Sequence, residues 1–162
     1  MSLINHRRRS ARWHGASQKV RQSAAPLFLD RIDIQCEISP VPFQDISKAA
    51  PGEPSAKIRE RVIKAREVQA ERFNDYKGIH CNAQMTERMI HQFAEPDEQG
   101  IKLLRMAMEK LSLSARAYNR ILKVARTIAD LAGSEQIKPY HIAEAVGYGI
   151  LDRGDWAERG HL

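Results

Sequence analysis

Between Ser114 and Gly133 the apolar residues Tyr118, Ile121, Leu122, Ala125, Ile128, Ala129 and Ala132 recur at spacings of three and four. That period belongs to an α-helix with one buried face. Gly133 is a good stop, because glycine accepts the left-handed conformation that closes many helices. A helix striped in this way needs other apolar surfaces to cover it, since its stability comes mainly from packing.

The rest of the chain offers such surfaces. Ser55, after Pro54, can cap a helix running to about Tyr76. Ile58, Val62, Ala65, Phe73 and Tyr76 share one face of it, while Arg59, Glu60, Arg66, Glu67 and Arg72 solvate the remainder. Lys77-Gly78 is its expected stop. A short helix is expected at 86–93. Asp97 then opens a helix carrying Ile101, Leu104, Met108 and Leu111, and Pro139 starts a last one with Ile142, Ala143, Val146 and Ile150. Aromatic content is only 6% against 43% hydrophobic residues, so a core would lean on Leu, Ile, Val, Ala and Met. The expected fold is all-α, a small bundle of four or five helices.

Upstream the pattern changes. Ile32, Ile34, Cys36 and Ile38 alternate with Asp33, Gln35 and Glu37, the period of a half-buried strand. No partner strand is evident, so this orphan strand is expected to belong to a sheet elsewhere. Pro40, Pro42, Pro51 and Pro54, with Gly52, mark an extended linker. The expected organisation is a disordered or non-native segment at 1–25, a core remnant at 26–38, a linker at 39–54, a helical domain at 55–153 and a tail at 154–162.

Composition narrows the function. The formal net charge of +6 permits contact with nucleic acid or nucleotide without requiring it. Cys36 and Cys81 have no metal-binding or disulfide spacing, so no metal site is expected and a cytoplasmic setting fits. No apolar run approaches the roughly 18 residues of a membrane helix, and no membrane partner is expected. No GxxxxGK[ST] phosphate loop, HExxH or GxSxG occurs. The chain alone is therefore expected to be catalytically incomplete.

Two arginine sites have chemistry to offer. Arg31 stands just before the alternating stretch, where a guanidinium fork could meet a phosphate. Local chemistry alone favours reading it as an ion-pair partner of Asp30 or Asp33 at a strand end. Arg116, Arg120 and Lys123 form a row at i, i+4 and i+7, on the face away from the Tyr118–Ala132 stripe. Such a row suits a triphosphate or a nucleic-acid backbone, or is simply a solvated helix face. The helix dipole slightly disfavours Arg116 in a first turn.

Longer stretches carry a resemblance. Leu113-Ser114-Ala115-Arg116-Ala117-Tyr118-Asn119-Arg120-Ile121-Leu122, continuing through Ala125-Arg126-Thr127-Ile128-Ala129-Asp130-Leu131-Ala132-Gly133, resembles the C-terminal signature of magnesium-chelatase-like AAA+ ATPases of the ComM/YifB type. Ile137-Lys138-Pro139-Tyr140-His141-Ile142-Ala143-Glu144-Ala145-Val146 is similar to the helix that follows it there. Pro26-Leu27-Phe28-Leu29-Asp30-Arg31-Ile32-Asp33-Ile34 looks like that family's arginine-finger segment, and Ser55-Ala56-Lys57-Ile58-Arg59-Glu60-Arg61-Val62 like its lid entry. The similarity runs from about Pro26 to Asp152; before it, Arg21-Gln22-Ser23-Ala24-Ala25 departs from the family pattern.

The resemblance implies a helical AAA+ lid. It gives Arg31 the arginine-finger role, Arg116 the sensor-2 role on the γ-phosphate, and Arg120 a lesser share of the same surface. It implies ATP and magnesium as cofactors of a full-length parent, with neither bound tightly by this chain alone. The partners it implies are the rest of the AAA+ core, neighbouring subunits of a ring, and DNA in a branch-migration or competence role. A free-standing DNA-binding or subunit-docking module is the alternative.

Overall fold

In the computed structural model, residues 32–36, 38, 40–41 and 52–149 are described. All of them but Ile32 belong to one compact unit. Five α-helices follow one another: α1 (Ser55–Arg72), α2 (Glu87–Phe93), α3 (Glu98–Lys110), α4 (Ala115–Leu131) and α5 (Pro139–Tyr148). A single 3-10 turn, Asn82–Gln84, lies between α1 and α2. The all-α expectation holds.

The caps explain the boundaries. The side chains of Thr86, Asp97 and Ser114 accept backbone N–H bonds from Met89, Gly100 and Ala117, satisfying donors that a helix start leaves open. Pro139 opens α5 with its ring-fixed φ. Gly133, at φ +66, closes α4, and the chain re-enters the bundle through Ser134 N–H on Ala129 O at 2.9 Å.

The stripe on α4 is the centre of the core. Ile121, Leu122, Ala125 and Ala129 are buried against Ile90, Leu104, Ile137, Ile142 and Val146 from α2, α3, α5 and the segment before α5. Small residues on α4 let its neighbours approach closely. Gly100 on α3 serves the same end, because a Cβ there would lie 2.9 Å from Pro96 Cβ and 3.6 Å from Ile142 Cγ1. Phe73, Tyr76 and Phe93 close one end as an edge-to-face cluster with centroids 5.7–6.5 Å apart.

Three expectations need correction. First, α1 stops at Arg72 rather than Tyr76; a series of turns carries the chain on to Gly78, at φ +82. Second, Ile58 and Val62 are 43% and 41% exposed. They lie on the helical face that buries Ala65, Gln69 and Phe73, but among the described residues the bundle does not cover that far along α1. Third, the period-two stretch forms no strand among its described residues. Gln35 N–H donates to Tyr148 O at the end of α5, at 3.0 Å.

Candidate functional site

Of the arginines singled out by sequence, Arg31 lies outside the described residues. Arg116 occupies the second position of α4 and is exposed. The first turn of α4 carries no acidic residue, and the positive end of the helix dipole slightly disfavours a cation there.

The row that begins at Arg116 is not a uniform solvated face. Arg120, one turn on, is half-buried, its Nη2 3.4 Å from where a Gly149 Cβ would stand at the end of α5. Lys123 reaches Ala83 O with its Nζ at 2.9 Å and ties α4 to the 3-10 turn. The two later cations are drawn into packing because α4 is covered on more sides than its apolar stripe predicts.

A second constellation lies at the other end of α4. Asp130, its side chain fully buried, accepts from Arg72 Nη2 at 2.6 Å and Arg72 Nη1 at 2.8 Å. Asn82 Nδ2 adds a bond at 2.8 Å and Arg126 Nε one at 3.1 Å. Arg72 Nη1 also donates to Asn82 Oδ1, and Asn82 Nδ2 to Thr127 Oγ1. Arg126 continues outward, donating to Glu135 O at 2.7 Å and Ser134 O at 2.6 Å. One carboxylate thus gathers α1, the 3-10 turn, α4 and the loop to α5.

Burial pushes the Arg126 guanidinium below its ordinary range; Asp130 opposes that and Arg72 adds to it. A cleft of about 270 Å³ borders this network, lined by Val68, Arg72, Arg126, Asp130, Gly133, Ser134 and Glu135. Its guanidiniums are already committed to Asp130 and to carbonyls, which makes the network a structural clamp. Sequence reading placed Arg72 in solvent and gave Asp130 no role. The i, i+4 spacing of Arg126 and Asp130, beside Ala125 and Ala129, was the signal available.

Among the described residues, no cluster of three or more His, Cys, Asp or Glu has metal-binding geometry, and no helix is long and apolar enough to cross a membrane.

Comparison with known proteins decides the family. Residues 52–149 match the family described as magnesium chelatase, subunit ChlI C-terminal. The chain belongs to that family. The match covers all five helices, and therefore both Arg116 and the Asp130 clamp. The chain is 42% identical over 127 residues to competence protein ComM of Haemophilus influenzae, covering 78% of this chain and 24% of ComM. The same figures hold for the uncharacterized protein YifB of Escherichia coli. An uncharacterized protein of Mycobacterium bovis is 32% identical over 121 residues, covering 75% of this chain and 24% of that protein. The chain thus spans about a quarter of the length of the curated relatives it matches.

Proposed function

We propose that this chain is the helical lid of a ring-forming AAA+ ATPase of the ComM/YifB type, working as the moving arm of a DNA-remodelling motor. The observation that carries the reading is the placement of Arg116. It is exposed in the first turn of α4, the helix on which the whole bundle is built. A guanidinium so placed offers a planar fork to a γ-phosphate held by an adjoining core. The rigid body behind it carries any displacement of α4 to α1 through Asp130.

In this reading Arg116 is the sensor-2 residue. Arg31 is the arginine finger that completes a neighbouring subunit's site. Arg120 supports the same end of α4 from its half-buried position. Bound ATP and magnesium would supply the phosphoryl chemistry; this chain's residues bind and stabilise the developing charge. The residues present fit the lid's share of such a site and no more, since no phosphate-cradling loop occurs in the sequence. Family membership supports the motor. The DNA assignment draws on the wording of the α4 signature and on the similarity to a protein named for competence.

The test is ATP hydrolysis by the full-length protein carrying Arg116→Ala. A fall of about 10²-fold or more with the lid still folded is the expected result; an unchanged rate refutes the sensor role.

A further inference from the structure

Among the described residues, the amino-terminal half of α1 is the least covered helix segment. Every residue from 52 to 64 is exposed, and Ala65 is the first buried residue on α1. At 1.5 Å per residue the helix therefore runs uncovered for roughly 15 Å. It is also the most basic stretch described. Lys57, Arg59, Arg61, Lys64 and Arg66 stand against one carboxylate, Glu60, within ten residues.

The cations are not spread at random. Taking Ile58 as the reference and about 100° per residue, Arg61, Lys57 and Lys64 fall roughly 60–120° to one side. Arg59 and Arg66 fall roughly 80–100° to the other. Ile58 and Val62 run between these two flanks, the exposed Val68 falls within the first flank and Ile63 beyond Arg59, while Glu60 and Glu67 lie on the opposite face, roughly 160–180° away. Arg61 pairs with Glu53 at 2.8 Å and Lys64 with Glu60 at 3.0 Å, both in solvent. Exposed pairs of this kind hold weakly and exchange readily for other anions.

We propose that this arm of α1 docks in the major groove of duplex DNA, with its two cationic flanks on the phosphates of the two strands. A helix with its side chains is about 10–12 Å across and the B-form groove about 12 Å wide, so one helix meets both strands at once. That geometry calls for cations on both sides of an aliphatic strip and carboxylates turned away. The deep, narrow major groove of A-form RNA does not admit a helix. No side chain on the strip has base-reading hydrogen-bond chemistry, so the contact is sequence-independent. This deepens the DNA-acting reading above and rests on it, but its test uses neither ATP nor a ring.

The experiment is fluorescence anisotropy of a 20-base-pair DNA duplex titrated with the 162-residue chain between 50 and 200 mM salt. With about four phosphates neutralised, affinity should fall on the order of 150-fold across that range. The double variant Arg59→Glu/Arg66→Glu should bind at least tenfold more weakly at 50 mM salt, with its melting temperature unchanged because both residues are exposed.

Three results overturn the proposal: no binding at 50 mM salt; equal binding of an RNA duplex of the same length; or binding that survives the α1 variant and disappears with Arg7→Ser, Arg8→Ser and Arg9→Ser. ATP hydrolysis in the full-length protein is unaffected by any of these results, so the lid reading stands or falls separately.

Discussion

Asp130 and Arg72, 58 positions apart in the chain, form a two-pronged ion pair with N···O distances of 2.6 and 2.8 Å. Within α1 itself the buried residues are Ala65 and Gln69, which offer little apolar area. The helix is therefore held on α4 largely by polar bonds and by Phe73 at its end. Asp130→Ala strands two guanidiniums in the interior and should cost about 3–5 kcal/mol. Arg72→Met leaves Asp130 with Arg126 and Asn82 and should cost less, about 1–3 kcal/mol. Urea unfolding of the two variants checks the order; equal losses would show that Arg126 and Asn82 do not sustain Asp130 once Arg72 is gone.

Gly100 marks the closest approach on α3. An added Cβ would sit 2.9 Å from Pro96 Cβ, on a segment fixed by Asp97 N–H to Ile137 O. Gly100→Ala gains about 1 kcal/mol of helix propensity. It is nevertheless expected to destabilise the fold by about 1–2 kcal/mol net, because overpacking at a fixed contact outweighs that gain. Thermal unfolding measures the sign; a stabilised variant would mean that Pro96 moves aside freely.

His141 gives stability a pH dependence. It is fully buried, and its Nδ1 accepts from Lys138 N–H at 3.0 Å, which leaves the neutral ring's proton on Nε2. Nε2 is buried with no hydrogen-bond partner among the described residues. Burial lowers its pKa, as do the charges of Arg126 and Lys138, while Glu144 pulls the other way. The unfolded chain takes up the proton near pH 6.5 and the folded chain only at lower pH. The stabilisation is therefore complete above about pH 6.5 and is lost as pH falls below it. Melting temperature should drop between pH 7.5 and 5.5 in the wild type and less in His141→Gln. Equal slopes would remove His141 as the cause.

Much of the fold could be read from the sequence, because its helices announce themselves locally. Thr86, Asp97, Ser114, Pro139 and Gly133 act where their chemistry predicts, and the α4 stripe is the core. Two kinds of feature could not be read. Periodicity sends charged residues to solvent, so the union of Arg72 with Asp130 is invisible without the fold. Periodicity also says nothing about where a neighbour ends, so Ile58 and Val62 look like core although α1 outruns the bundle. The site itself was legible in part. Arg116 stands out in the sequence as a cation at a helix start, takes its role from resemblance, and is displayed, while Arg120 and Lys123 read as one surface with it and are drawn into packing instead.

The central claim is that this chain contributes to a nucleotide site without forming one. Calorimetric titration with magnesium-ATP of the 162-residue chain, of the full-length protein and of its Arg116→Ala variant tests it most directly. The account predicts no heat from the chain alone, clear binding by the full-length protein, and weaker binding once Arg116 is removed. Tight binding by the chain alone, or full-length binding indifferent to Arg116, would contradict it.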